Sequence, residues 1–301
     1  MDRIPFLTLP YLVQKEVVRC FDCLTLFKFS VISKRTLNFV KLIKVNTESV
    51  SYIIQDSKLE IHIQNGSKGT YDSLTLSLLP NTQLSYTPEE YVHTWKIDGS
   101  PVELCIQGDS PFTARIRFQS KCLKLLENIS SYILSFMRFR HFKMFFNRKK
   151  TKLNNFFVGN IESQRFISVD ITTVRLPYRL DHKNIIKLDT QKLSMNVEED
   201  PLEFGKKLLR LWRREDTKRV EEIRFSNQNV NWIGLLFRLC AKPTVLKPNE
   251  IRTRHPSYTG SGAMDIERIN DGQQATVIME PSGMVCLVWN NEHLRAIGRY
   301  L

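Results

Sequence analysis

Cysteine, glycine and proline are scarce in this chain: 6, 12 and 12 of 301 residues. So few cysteines in a chain large enough to bury a core exclude a disulfide-dense scaffold, and so little Gly and Pro excludes collagen-like or low-complexity architecture. No uninterrupted apolar run approaches the roughly 18 residues of a spanning helix, because charged or polar residues break every candidate, including Tyr132–Phe146. A soluble chain with no membrane partner is expected. The opening residues Met1–Pro10 lack a long apolar stretch followed by a small-residue cleavage site, so secretion is not expected either. On that reading the sequons at Asn65 and Asn128 are chance matches. Cys20, Cys23, Cys105, Cys122, Cys240 and Cys286 are then free thiols in a reducing, intracellular compartment, cytoplasmic or nuclear.

Catalytic signatures are equally sparse. There is no phosphate-binding G-x-x-x-x-G-K-[ST] loop, no G-x-S-x-G elbow and no H-E-x-x-H. Gly260-Ser261-Gly262 lacks a third glycine and a preceding strand. Cys20-x-x-Cys23 has no second pair at zinc-site spacing, and packing accounts for it better. The histidines at 62, 93, 141, 182, 255 and 293 are isolated from one another along the chain. No enzyme, catalytic residue, cofactor or metal is therefore expected.

What is present is ordinary globular stock, 42% hydrophobic and 25% charged. At roughly 100–200 residues per domain, one or two domains follow. Within residues 1–45, Pro10 suits a first helical turn, and Val13, Val17 and Phe21 recur every four residues along one helix. Asp22 caps a second helix striped by Leu24, Phe27 and Val31, and Ser33 caps a third carrying Leu37 and Val40. From about Val50 the apolar period becomes two. Leu59, Ile61 and Ile63 alternate with polar residues, Asn65-Gly66 opens a turn, and Leu74, Leu76 and Leu78 alternate again. A second hairpin runs through Thr94–Ile97, Asp98-Gly99 and Val102–Ile106, followed by a strand at Ala114–Phe118 and a helix from Lys121 through Ile133 and Phe136.

Beyond Phe139 the pattern is coarser. Strand-like pieces at Phe166–Ile171, Ile185–Leu188 and Val220–Phe225 are separated by turns or by a helix at Pro201–Arg214. Each strand plus its connector resembles an irregular leucine-rich-repeat-like unit that buries its inner face by stacking on neighbours. The chain closes with a β-meander at Ile266–Ile269, Ala275–Met279 and Met284–Trp289. The fold class is therefore α+β: a three-helix piece at 1–45, a β-rich region ending in a helix at 46–135, and a mixed domain at 136–301.

The net charge is +13. Between Arg115 and Lys152 eleven Lys and Arg face one acid, Glu127, whereas the bases of Lys206–Arg224 are half balanced by acids and read as a solvated helix face. Arg138, Arg140, Lys143, Arg148, Lys149 and Lys150, interleaved with Phe139, Phe142, Phe145 and Phe146, could bind nucleic acid or an acidic partner. Alternatively the phenylalanines face the core and the bases lie in water around a loop.

A 45-residue helical piece cannot offset its own chain entropy and must lean on something. Leu9-Pro10-Tyr11-Leu12-Val13 through Ser33-Lys34-Arg35 resembles an F-box. Val17 fills the aliphatic position seven residues after the Pro, Phe21-Asp22 stands where Leu-Asp is usual, Leu26 and Phe29 occupy the apolar positions of the middle helix, and Ile32-Ser33-Lys34-Arg35 closes the motif. Cys23 and Thr25 depart from the Pro and Asp often found there. The remainder resembles the F-box-associated domain of the large nematode F-box families (type 2), through Leu188-Asp189, the helix Leu202–Trp212, Val220–Phe225, Met264–Arg268, Asp271-Gly272 and Ala275-Thr276-Val277. The resemblance implies a non-catalytic substrate receptor of a Skp/cullin/F-box ubiquitin ligase. Leu9, Pro10, Val13, Val17, Phe21, Leu26, Phe27 and Ile32 would meet the Skp-family adaptor, and through it a cullin. The C-terminal domain would hold a target protein.

Overall fold

The computed structural model describes residues 6–55, 59–65, 72–78, 91–97, 100–110, 113–118, 123–147, 164–173, 182–214, 219–227, 230 and 232–299. The chain divides into two compact units, 1–143 with 153–164, and 144–152 with 165–301.

The first unit opens with a single 3-10 turn at Phe6–Thr8, then α1 (Tyr11–Arg19), α2 (Cys23–Ile32) and α3 (Lys34–Ile43). Pro10 stands just before the first helical residue of α1, one place earlier than the sequence suggests. Asp22 Oδ1 accepts the Thr25 N–H at 2.5 Å, and Ser33 with Thr36 forms a reciprocal capping box, so both expected caps start their helices. Lys44, at φ 49°, ends α3 in the left-handed conformation, and the chain passes at once into a strand.

That strand, β1 (Val45–Gln55), begins earlier than the alternation from Val50 suggests. It is followed by β2 (Leu59–Asn65), β3 (Asp72–Leu78), β4 (Tyr91–Ile97), β5 (Ser100–Ser110), β6 (Thr113–Phe118) and α4 (Leu123–Leu134). The turns Asn65-Gly66 and Asp98-Gly99 extend outside the described residues, but the antiparallel registers Ile63↔Leu74 and Trp95↔Val102 give both expected hairpins. β1-β2-β3 and β6-β5-β4 are two antiparallel meanders joined by the parallel pair β3–β6. Matching registers line up Val50, Ile63 and Leu74 in one row and Tyr52, Ile61 and Leu76 in the next, all fully buried. α2 packs against β2 and β3 over this apolar face.

Residues 137–147 form a strand, β7 (Met137–Asn147), rather than a loop carrying bases. Its inward positions are Met137 and Phe139, then Phe142, Met144 and Phe146, a slip of one residue at His141. That slip hides the period of two from a sequence reading. Its first half pairs with β1 beside Val45 and Thr47, whose hydroxyl donates to the Arg138 carbonyl at 3.0 Å.

The second unit contains β8 (Arg165–Thr173), α5 (His182–Ile186), β9 (Asp189–Val197), α6 (Pro201–Arg214), β10 (Glu222–Ser226), α7 (Ile233–Arg238), the two-residue β11 (Lys242–Pro243), α8 (Pro248–Arg252), β12 (Ala263–Glu267), β13 (Gln274–Glu280), β14 (Gly283–Val288) and α9 (Asn291–Ala296). Strands β8, β9 and β10 are parallel, with α5 and α6 as connectors, and β14, β13, β12 and β11 continue from β10 as an antiparallel meander. The expected strand at Ile185–Leu188 is instead the end of α5 and its turn, and the strand is β9. Its buried positions are Thr190 and then Leu193, Met195 and Val197, a shift of phase that breaks the alternation, and the fully buried Thr190 is satisfied by donating to the Lys192 carbonyl at 2.8 Å.

One buried row runs Val169, Leu193, Ile223, Cys286, Val277 across five strands. The amphipathic α6 buries Phe204, Gly205, Leu208, Leu209 and Trp212, each large apolar side chain contributing about 1.5–3 kcal/mol. Leu202, in the first turn of this helix, is exposed. Every residue of β14 is buried, because Val285 and Leu287 point to the opposite face, where Ile251, Tyr258, Trp289 and Leu294 cover them. Burial pushes the Cys286 thiol up to about 12, so it remains protonated.

The residues that carry the second resemblance make structural bonds. Arg268, 4% exposed, is held by the Asp271 carboxylate and lies over the Trp212 ring at 5.9 Å. Asp265 accepts from Thr276 Oγ1 at 2.7 Å, and Thr276 in turn accepts the Trp289 indole N–H at 2.9 Å.

Two expectations follow. Gly283 has φ 150°, and a Cβ there would lie 1.8 Å from the Phe225 carbonyl oxygen, so Gly283→Ala should cost about 3 kcal/mol or more in urea unfolding. The hydrogen bonds from Arg268 hold the Asp271 carboxyl down to about 2, below its unfolded value near 3.9. Its stabilisation is therefore complete above pH ~4 and is lost as pH falls towards 2. Asp271→Asn should flatten the stability-against-pH curve over that interval only; an unchanged acid limb would contradict the pairing.

Candidate docking surface on the N-terminal helices

α2 is apolar over most of its circumference and leaves only Thr25, Lys28 and Ile32 exposed, so it needs cover on more than one side. Cys23, Leu26, Phe27 and Ser30 are buried. Phe27 meets the Tyr132 ring of α4 edge-on at 6.1 Å, and the Tyr132 hydroxyl donates to Ser30 Oγ at 2.9 Å, which itself donates to the Phe27 carbonyl at 2.7 Å. This chain of polar and ring contacts anchors the helical trio to its own unit. Tyr132 and Ser30 were not singled out from sequence, because neither residue type in an apolar run signals a partner a hundred residues away.

On the other side of α2, Phe29 gathers Phe6 at 5.2 Å and Phe21 at 5.5 Å in edge-on contacts. Phe39 of α3 extends the cluster to Phe6 and Tyr11. α1 turns Gln14 and Val18 inward. The Gln14 side-chain amide donates to the Leu9 carbonyl at 2.6 Å, fixing how the Leu9-Pro10 entry meets the helix.

Several other apolar side chains of this piece face water. Leu12 is 69% exposed, Val13 45%, Val17 36% and Ile32 70%. Pro10 is exposed, and Leu9 and Phe21 are half-buried. Val13 and Val17, four residues apart, form a stripe on one flank of α1. Of the eight residues expected to meet an adaptor, Pro10, Val13, Val17 and Ile32 are thus open, Leu9 and Phe21 partly so, while Leu26 and Phe27 are core and can contribute only by holding the others. Leu12, absent from that set, is among the most exposed apolar residues here. Cys20 is exposed and Cys23 buried, and neither is in a disulfide.

The basic strip is arranged differently. Arg138, Arg140 and Lys143 project from the exposed side of β7, while Phe139, Phe142 and Phe146 are buried. Rings turned into the core cannot stack on bases. Glu48 of β1 lies 3.7 Å from Arg140 and 3.3 Å from His141 and offsets part of the charge. Arg148, Lys149 and Lys150 lie outside the described residues.

Among the described residues no helix is long and apolar enough to cross a membrane. Comparison of the chain with models of known families, with curated proteins and with solved structures returns no match in any of the three.

The two classes of apolar residue should respond oppositely to substitution. Leu26→Ala should lower unfolding free energy by about 2–5 kcal/mol. Val13→Ser with Val17→Ser should change it by less than about 1 kcal/mol, since both side chains are already in water. Chemical denaturation of the two variants distinguishes core from surface; equal losses would overturn the assignment.

Proposed function

We propose that the chain is a non-catalytic substrate receptor of a Skp/cullin/F-box ubiquitin ligase. The carrying observation is the set of exposed apolar side chains Leu12, Val13, Val17 and Ile32 on helices that are anchored to their own unit through Ser30 and Tyr132. Isolated exposed apolar residues are ordinary, but four on one small helical piece are a surface suited to burial by another protein. The F-box resemblance runs through the same residues, from Leu9-Pro10 to Ile32-Ser33-Lys34-Arg35.

The division of labour within the piece follows from its packing. Leu26 and Phe27 hold the trio on its sheet, and the capping of α2 and α3 by Asp22 and Ser33 sets the directions of the helices. Pro10, Val13, Val17 and Ile32 are then displayed without rearrangement, so binding spends little free energy on ordering. A few such anchors carry most of an interface's affinity, each costing about 2 kcal/mol or more on truncation. The parallel β8–α5–β9–α6–β10 segment, read as two repeat-like units closed by the meander, is the F-box-associated part and presents a target protein. Catalysis belongs to other subunits. The chain raises the target's local concentration near activated ubiquitin in the cytoplasm or nucleus.

Co-purification of the full chain with a Skp-family adaptor tests the reading. The wild type should recover adaptor and cullin, Val13→Asp with Val17→Asp should lose at least about 90% of that recovery, and Lys143→Ser with Arg140→Ser should retain it. Adaptor recovery that is absent in the wild type, or unaffected by the aspartates, overturns the proposal.

A further inference from the structure

A cavity of about 720 Å³ opens in the second unit between Asn196 and Glu198 at the end of β9, Ser226 and Asn227 at the end of β10, and Ser282 in the turn joining β13 to β14. Pro201, the first residue of α6, and Val230 add apolar wall. Asn196 and Ser226 are the penultimate and last residues of adjacent parallel strands. At such carboxyl ends the connections lead away into helices and leave a crevice that open α/β sheets use for ligands. The volume falls within the range of small-molecule and side-chain pockets.

The chemistry of the walls is one-sided. Asn196, Glu198, Ser226 and Ser282 spend their side chains on no hydrogen bond or ion pair among the described residues, whereas Asn227 is steadied by donating to the Val197 carbonyl at 3.3 Å. Among the described lining residues the Glu198 carboxylate is the only charged group, in a chain with net charge +13. Among them an anion would meet that carboxylate and no cation. A divalent metal ion would find one carboxylate where several charged oxygens are usual. A ligand rich in N–H donors, positively charged and carried on an aliphatic stem, satisfies both the unspent acceptors and the Pro201 and Val230 wall. An arginine side chain has those properties, with a planar fork that pairs bidentately with a carboxylate.

The geometry points to this cleft as a receptor for an exposed arginine in an unfolded segment of a partner protein, with Glu198 pairing the guanidinium and Asn196, Ser226 and Ser282 accepting its outer N–H groups. It rests on the substrate-receptor reading for the identity of the partner, but the binding itself does not require an adaptor. The probe is a fluorescein-labelled hexapeptide Gly-Ser-Arg-Arg-Ser-Gly, titrated against the full chain by fluorescence polarisation. A second probe replaces both arginines by citrulline, which keeps the shape and removes the charge.

Saturable binding of the arginine peptide, weakened roughly tenfold by citrulline and by Glu198→Gln, supports the site. Glu292→Gln, which neutralises an exposed carboxylate on α9 away from the lining, should leave binding within about twofold and so separates local pairing from the overall field of the chain. Both variants are exposed at the altered position and should fold as the wild type does, as a thermal melt checks. No saturable binding, equal affinity for citrulline, or equal losses in Glu198→Gln and Glu292→Gln would overturn the inference. Adaptor recovery measured on the same preparations reports independently on the N-terminal helices, so failure of one reading is not mistaken for failure of the other.

Discussion

The arrangement of the first unit depends on one constraint: α2 carries apolar residues on more than one side. A ten-residue helix reading Cys-Leu-Thr-Leu-Phe-Lys-Phe-Ser-Val-Ile leaves only the strip of Thr25, Lys28 and Ile32 in water and needs cover on its other sides. The sheet of β2 and β3 covers one side, with Phe27, Ser30 and Tyr132 locking the contact. The other side must be covered by α1 and α3, which are short and meet it through a cluster of aromatic rings. Those outer helices are too thin to hide apolar residues on both of their own sides. Leu12, Val13 and Val17 of α1 are therefore left in water, and Ile32 ends the exposed strip of α2 itself.

The second unit solves a comparable problem by different means. β14 joins the parallel strands to the antiparallel meander and is covered on both faces, which suits its unbroken run Met284-Val285-Cys286-Leu287-Val288. Several polar groups that reach this interior are individually paired: Arg268 with Asp271, Thr276 with Asp265 and Trp289, and Arg254 with the backbone carbonyls of Glu221 and Val288 while its guanidinium stacks 5.3 Å from the Trp289 ring. The motif residues near the C-terminus are accordingly framework, whereas the indole N–H groups of Trp212 and Trp232 are buried without a hydrogen-bond partner among the described residues.

Much of this was legible along the chain wherever a local rule operates without competition. Asp22 and Ser33 announce helix starts because their side chains bond the backbone three residues on, and the alternations at Leu59–Ile63 and Leu74–Leu78 announce strands because one face is buried and the other is not. Where a second influence intervenes, the signal fails. β9 and β7 are obscured because the inward phase of each shifts within the strand, after Thr190 in one and at His141 in the other. Ile185 and Ile186 imitate a strand because five residues are too few to show a helical period.

Amino-acid order alone determined the α+β class, the three helices at the front with the caps of the second and third, the amphipathic α6 and the meander at the end, since each rests on contacts between residues near in sequence or on a repeating burial pattern. Only the tertiary structure decided which apolar residues of the first helices are core and which are surface. Leu26 and Val13 are equally apolar in sequence, and their fates differ because Tyr132 and the sheet arrive from far along the chain to cover one and not the other. The same holds for the cleft: Asn196, Ser226 and Ser282 are unremarkable polar residues in three separate segments until parallel pairing of β9 with β10, and antiparallel pairing of β10 with β14, bring their strand ends together.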